Sequence, residues 1–343
     1  MRIALDATYS VGKELSGVGV YSREILHGLA AAHPEETWIW ACRPHRLLRL
    51  LRERLPGNCR RRLLWEGRRL ASVELFHGLN QRLPEARYRR AVSTFHDLFV
   101  LTAEYSSREF RDRFARQARQ AAERSDLVIT VSRFTASQVR DLLGVDESRI
   151  RVIPHGVRLP PLEASARREK MILHVGALQR RKNILRLLRA FESVPAGWRL
   201  VFAGAAGYGA GEILDSIRRS PRRPDIDVLG YVPAPVLAGL YSRARILAFP
   251  SLDEGFGIPV LEAMAWGVPV VTSNRSALPE VAGDAALLVD PVNEEEIAHA
   301  LVSLVRDEKL ASALAERGRK RAAEFPWVQA VARTWAVYRE VSS

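Results

Sequence analysis

The stretch Phe249-Pro250-Ser251-Leu252-Asp253-Glu254-Gly255-Phe256-Gly257-Ile258-Pro259-Val260-Leu261-Glu262-Ala263-Met264-Ala265-Trp266-Gly267 joins a strand end, a glycine loop and a helix start. The apolar run that leads into it, from Ala244, reads as a buried strand. Pro259 suits the first position of a helix and Gly267 its C-terminal cap. Glu254 then lies in the loop and Glu262 one turn inside the helix. The Gly255-Phe256-Gly257 loop brings backbone N–H groups to a helix N-terminus, which carries roughly half a positive charge and suits a phosphate. A polyhydroxyl group can sit against both carboxylates, at the carboxyl end of a strand, where open α/β sheets bind their ligands. The plain alternative is a solvated loop glutamate and a surface helix glutamate; the flanking glycines and proline weigh against it.

Outward from this stretch, short apolar runs alternate with amphipathic helical patterns along the chain, which implies βα units and parallel sheets. Strands are expected at 3–7, 38–42, 75–77, 91–95, 127–131 and 151–154, and again at 172–176, 200–204, 227–231, 245–250, 268–272 and 286–289. Helices are expected at 108–124, 184–191, 212–219, 236–243, 259–265 and 294–304, with another carrying Tyr21, Ile25, Leu26 and Leu29. Pro154, Pro160 and Pro161 interrupt the pattern, and 163–170 is polar and charged, as a linker would be. Two Rossmann-like α/β domains in tandem follow, at 1–162 and 163–324. After Pro326 a last helix, 325–343, places Trp327, Val331, Trp335 and Tyr338 on one face that must pack against something.

At 343 residues the chain is long enough for two ordinary domain cores. It holds no apolar run near the 18 or so residues a membrane span needs, and it enters a strand at Arg2 with no signal-peptide pattern. A cytoplasmic protein is expected. Cys42 and Cys59 lack metal-site spacing and read as free thiols. Lys supplies five of the 52 basic residues behind the net charge of +13, so Arg is used throughout. Ten arginines fall between Arg43 and Arg69, interleaved with leucines and Trp65. This segment fits peripheral contact with the inner face of an anionic membrane, and equally a solvated helix face with a buried stripe. Nucleic acid is set aside, because no recognisable fold motif accompanies the charge.

Other turns carry chemistry. Gly176-Ala177-Leu178-Gln179-Arg180-Arg181-Lys182-Asn183 follows a strand and opens a helix, so its cations stand at the edge of the second sheet, where they can neutralise a diphosphate. Ser16-Gly17-Val18-Gly19-Val20-Tyr21 is a glycine turn entering a helix. Thr94-Phe95-His96-Asp97-Leu98 ends a strand with a His-Asp pair, and Ser132 and Arg133 follow another. Asp225-Ile226-Asp227 has a metal-binding DxD spacing, but no acidic cluster surrounds it; it reads as a strand start, and no metal is expected.

With its E-x7-E spacing, the segment from Phe249 to Pro279 resembles the family 4 glycosyltransferases, and the likeness extends over almost the whole chain. The resemblance implies the GT-B architecture, with two Rossmann-like domains facing across a cleft and the C-terminal helix crossing back onto the first. It implies transfer of a hexosyl unit from a nucleotide-sugar to a glycan or lipid-linked hydroxyl, with retention, and no cofactor beyond the donor. Glu254 would accept hydrogen bonds from sugar hydroxyls and Glu262 from the ribose. Lys182 stands at the place of the family's phosphate-binding lysine. The family's arginine after the glycine is Ala177 here, so Arg181 is the substitute. Gly17 and Gly19 match the loop that closes over the donor, where a side chain would occupy the donor's space. Tyr231 and Val232 fall in the backbone that lines the base pocket, Gly255, Phe256, Gly257 and Ile258 in the loop at the donor, and His96 near the transferred sugar. His155-Gly156 stands where the family shows asparagine and glycine, and His155 reads as architectural. The pattern looks most like mannosyltransferases of cell-surface polysaccharide assembly, which favours GDP-mannose over UDP-sugars. The glycine-bearing loop 204–211 has no assignable role. A sugar-nucleotide epimerase or phosphorylase on the same frame, and a non-catalytic basic module binding membrane or nucleic acid, stay open beside this reading.

Overall fold

Parallel pairing joins the apolar runs into two sheets, and the strand order in each determines where a site can form. The computed structural model describes residues 1–12, 14–161 and 167–343. The chain divides into two units, Met1–Gly156 with Trp327–Ser343, and Val157–Pro326. The expected boundary at 162/163, with part of the expected linker, lies outside the described residues.

In the first unit the elements run β1 (Arg2–Asp6), α1 (Gly17–Ala32), β2 (Thr37–Cys42), α2 (Leu47–Arg52), β3 (Cys59–Leu63), β4 (Leu75–Gly78), β5 (Arg90–Phe95), α3 (Phe99–Thr102), α4 (Arg108–Arg124), β6 (Leu127–Thr130), α5 (Arg133–Leu143) and β7 (Ile150–Val152). The sheet order is β3-β2-β1-β4-β5-β6-β7, so successive crossovers reverse direction between β1 and β4. Alternate residues feed two apolar layers: Ile3, Leu5, Val92 and Ile129 face one, Ala4, Ala91, Phe95 and Val128 the other. Both faces of a parallel sheet are covered in this way.

In the second unit β8 (Met171–Val175), α6 (Ile184–Glu192), β9 (Arg199–Ala203), α7 (Ala210–Arg219), β10 (Ile226–Val228), α8 (Ala234–Arg243), β11 (Ile246–Phe249), α9 (Ile258–Ala265), β12 (Val270–Ser273), α10 (Leu278–Ala282), β13 (Leu287–Val289), α11 (Glu294–Arg306) and α12 (Glu308–Ala323) build a sheet of order β10-β9-β8-β11-β12-β13. Its reversal falls between β8 and β11, the strands that precede the cationic turn and the Glu254 loop.

Helix α13 (Trp327–Ser342) returns the chain to the first unit. Its Ala330, Val331, Val337, Tyr338 and Val341 join the core with α1. The approach is close: a Cβ on Gly28 of α1 would lie 2.4 Å from Val331 Cγ2. Tyr338 is also hydrogen-bonded through its hydroxyl to His77 Nδ1 (2.5 Å), and His77 Nε2 to Thr94 Oγ1 (2.9 Å).

The basic segment 43–69 is not one amphipathic helix. It breaks into a 3-10 turn at Pro44–Arg46, the six-residue α2, the edge strand β3 and a turn bridged between Trp65 and Arg68. The helix ends at Arg52, with Glu53 already extended and Pro56 and Gly57 beyond it, and Arg61 folds back to donate to the carbonyls of Leu50 and Glu53. Arg43 is buried in an ion pair with Asp6 and donates through Nε to Glu66 (3.0 Å). Leu48 and Leu51 remain 73% and 55% exposed on α2. Cys42 and Cys59 are free and buried. Among the described residues no helix is long and apolar enough to cross a membrane.

Candidate active site

In the second unit, Gly176 leaves β8 at φ +144°, a conformation that L side chains rarely adopt, and the chain turns through Arg180–Lys182 into α6. Asn183, at φ +58°, donates from Nδ2 to the carbonyl of Pro250 (3.0 Å), and Leu252 N–H donates to the carbonyl of Arg181 (2.8 Å). These bonds lace the cationic turn to the Glu254 loop. The side chains then converge: Lys182 Nζ lies 2.5 Å from Glu254 Oε1, and Arg181 Nη1 lies 2.9 Å from Glu254 Oε2. All three are at most 8% exposed. Lys182 Nζ also stands 4.5 Å above the Phe249 ring, a cation–π contact that orients the ammonium. Burial by itself would raise the Glu254 carboxyl, but the charges of Arg181 and Lys182 outweigh it and hold the group at about 2. Two cations thus bear on one carboxylate in a largely dry setting.

The loop 204–211 backs this turn. Leu178 N–H donates to Ala205 O and Gly207 N–H to Leu178 O, both at 2.9 Å. A Cβ on Gly204 would sit 1.9 Å from the carbonyl oxygen of Gly176, so glycine is required there. Sequence patterns give no hint of this role, since it depends on backbone approach between β8 and β9.

Glu262 occupies a second place, on α9, where Tyr241 of α8 donates its hydroxyl to Oε2 at 2.8 Å. Burial raises its carboxyl to about 7, against the lowering effect of that bond. Arg168 holds the two helices together by donating to the carbonyls of Tyr241 and Ala244 at the end of α8 and of Trp266 and Gly267 at the end of α9. Neither Tyr241 nor Arg168 carries a sequence motif that marks it. Pro259 falls at the second helical position rather than the first, because Gly257, at φ +114°, takes the N-cap. A Cβ on Gly257 would meet Leu278 Cδ2 at 2.7 Å. The Phe256 ring is buried, edge-on to Phe325, so its side chain belongs to packing and only its backbone and that of Gly255, Gly257 and Ile258 lie at the helix start. Tyr231 and Val232 follow β10, next to Gly230, whose carbonyl accepts from Gly204 N–H (2.8 Å). Asp225 and Asp227 pair with Arg222 and Arg199 at the start of β10.

In the first unit, Ser16 caps α1 by accepting from Gly19 N–H (3.3 Å). Gly19 has a reason internal to the fold: its Cβ would lie 2.7 Å from the carbonyl oxygen of Tyr9. Gly17 is the first residue of α1. Ser132 is buried and caps α5, accepting from Thr135 N–H (3.0 Å), with Arg133 the first helical residue. His96 is 7% exposed, and its Nε2 donates to the carbonyl of Leu79 (2.9 Å). Its Nδ1 faces His155 Nε2 at 3.4 Å, and Tyr21 meets both rings edge-on. Burial pulls His96 down to about 4 and His155 well below the usual imidazole range, so both rings are neutral. No spacing in the sequence reveals this contact of His155.

Comparison with known proteins identifies the family of this chain. The model described as Glycosyltransferase Family 4 matches residues 15–159, and the one described as Glycosyl transferases group 1 matches 161–321. The chain belongs to this family and is a glycosyltransferase of the GT-B architecture. The O-antigen chain mannosyltransferase B of Escherichia coli is 31% identical over 97% of this chain and 98% of its own length. The O-antigen chain mannosyltransferase RfbU of Salmonella typhimurium is 29% identical over 52% of this chain and 50% of its own. In fold, the chain is similar to the sucrose-phosphate synthase of Thermosynechococcus elongatus (TM-score 0.81, 23% identity, 99% of each chain) and to Anabaena HepE in complex with UDP and glucose (TM-score 0.77, 17% identity, 99% and 100%).

Proposed function

We propose that this enzyme moves a mannosyl unit from GDP-mannose to a glycan or lipid-linked hydroxyl, with retention at the anomeric carbon. The observation that carries the reading is the buried Lys182–Glu254–Arg181 cluster at the point where the second sheet reverses its strand order. Lys182 and Arg181 neutralise the donor diphosphate. Charge on that group grows as the glycosidic bond breaks, so the cations bind the transition state more strongly than the ground state. Glu254, already ionised, turns its oxygens to the sugar hydroxyls as the diphosphate takes up the cations. Glu262 receives the ribose hydroxyls. The leaving phosphate accepts the acceptor's proton in a same-face displacement, with His96 beside the cation-like sugar. Mannose and O-antigen assembly come from the relative of E. coli, which the chain matches along nearly its full length.

Protein cations stand where the leaving phosphate needs charge, so transfer is expected to survive chelation by EDTA. The acceptor side includes contact with an anionic lipid surface through Leu48 and Leu51, three apart on one face of α2, with Arg49, Arg52 and Arg54 exposed around them. Leu48→Ser with Leu51→Ser should weaken co-sedimentation with phosphatidylglycerol vesicles several-fold and leave donor binding unchanged; undiminished sedimentation removes this surface from the account.

The test of function is incubation of GDP-mannose and UDP-glucose with polyprenyl-linked acceptors and with no acceptor, followed by NMR of the product. An α-mannoside formed only with acceptor is expected. An epimerised donor, or a sugar phosphate formed with inorganic phosphate, would replace transfer by the corresponding alternative.

A further inference from the structure

We propose that Tyr241 is a positioning residue for the donor: its hydroxyl takes up Glu262 Oε2 and so leaves Oε1, held in place, to accept from the ribose hydroxyls of the nucleotide. The inference rests on the reading above that Glu262 receives the ribose. An ionised carboxylate only accepts, so in the 2.8 Å contact the phenolic O–H is the donor. The other acceptor within reach, the carbonyl of Pro259, lies at 3.5 Å, the long limit for a hydrogen bond. The single hydroxyl proton therefore goes to the carboxylate. Among the described residues Tyr241 is the one hydrogen-bond partner of the Glu262 side chain, and no protein donor reaches Oε1. Glu262 keeps partial exposure, whereas Tyr241 is 1% exposed. The bond thus ties a carboxylate that a ligand can reach to a ring held in the core.

The backbone sets the distance between the two groups. Arg168 bonds carbonyls at the ends of both α8 and α9, so the helices that carry Tyr241 and Glu262 are fixed to each other. A glutamate on a helix surface otherwise samples several rotamers, and a ligand that fixes it must offset the freedom lost. A bond that fixes the side chain before the ligand arrives removes that cost from binding. Because the hydroxyl donates to the charged form, it also favours the ionised carboxylate, whose oxygens have no proton of their own to turn away from a ribose hydroxyl. Packing alone does not require the hydroxyl, since phenylalanine has the same ring. The packing role and the positioning role therefore differ in what happens when the ribose hydroxyls are taken away.

The test is calorimetric titration of the full chain with GDP and UDP, each beside its dideoxy form, which lacks both ribose hydroxyls. It is run at about pH 8.5, above the Glu262 carboxyl's value of about 7, so that the group is ionised. Tyr241→Phe keeps the ring and removes the donor, Glu262→Ala removes the carboxylate, and the double variant closes a cycle. Tyr241→Leu serves should the phenylalanine variant not fold. Tyr241→Phe should weaken the nucleotide that binds roughly tenfold and its dideoxy form less than about twofold. In the Glu262→Ala background the same substitution should change affinity less than about twofold, because the group it acts through is gone. An equal loss for both forms shows Tyr241 to be packing alone, and undiminished affinity in Tyr241→Phe shows that the bond positions nothing; either result overturns the proposal while Glu262 keeps its place at the ribose. If Glu262→Ala prefers the nucleotide over its dideoxy form as strongly as the wild type does, the reading of Glu262 at the ribose fails, and the proposal falls with it.

Discussion

Glu254 accepts from two cations inside one largely dry pocket, and this arrangement has a consequence for acid stability. Its folded carboxyl, near 2, lies below its unfolded value of about 4.5, so the ionised form is favoured by folding. The stability this contributes is present above pH 4.5 and lost as pH falls through about 2. Glu254→Gln should therefore cost about 3 kcal/mol at pH 6 and progressively less toward pH 2.5, read as the gap between wild-type and variant urea midpoints. A gap constant with pH would mean that the ion pairs do not form. Glu262 has the opposite sign. Its folded carboxyl near 7 is raised, so its contribution to stability falls as pH rises from about 4.5 through 7, while its ability to accept from ribose hydroxyls grows. Donor affinity should rise through pH 7 in the wild type and lose that component in Glu262→Gln, measured by calorimetry. The acidic pair and the cationic turn were marked in the sequence by the glycines and proline of the turns that carry them, and His96 by its place at a strand end and by family likeness. That Lys182 and Arg181 close on Glu254 was not visible, since it depends on the adjacency of β8 and β11.

At the scale of elements, α8 and α9 present Tyr241 and Glu262 to each other only while their C-termini stay together. One guanidinium, that of Arg168, bonds carbonyls at both ends. Arg168→Ala leaves those oxygens short of a donor and should cost about 1–3 kcal/mol of stability, with a raised donor KM as Glu262 shifts; a melting temperature and KM equal to the wild type would show the clamp to be dispensable. Strands with apolar runs were legible within a few residues, as at β5 and β11. Strand β3 was not, because an edge strand reading Cys-Arg-Arg-Arg-Leu pairs on one side only and needs no apolar face. The arginine-rich segment looked continuous in composition, and Arg61 and Arg43 show why it is not: their charges are spent on carbonyls, Asp6 and Glu66 inside the fold.

For the whole molecule, the last helix completes the first unit, as the family likeness implied, and the row Trp327, Val331, Trp335 and Tyr338 is the face that packs there. The contact between Gly28 and Val331 makes this testable: Gly28→Ala should destabilise by about 1–3 kcal/mol, and most of that cost should vanish in a Val331→Ala background, where the methyl it strikes is gone. Additive costs in thermal melts would show the helix packed elsewhere. Two parallel sheets and the returning helix thus followed from periodicity and family likeness, whereas the strand orders and the close approaches at Gly28, Gly156 and Gly204 required coordinates, because glycine alone does not say what it faces. The central claim is that Lys182 and its neighbours grip a diphosphate. Calorimetric titration of wild type and Lys182→Ala with GDP and with guanosine tests it most directly. A loss of tenfold or more in GDP affinity, with guanosine binding unchanged, is predicted; equal GDP affinity in the two proteins would contradict the account.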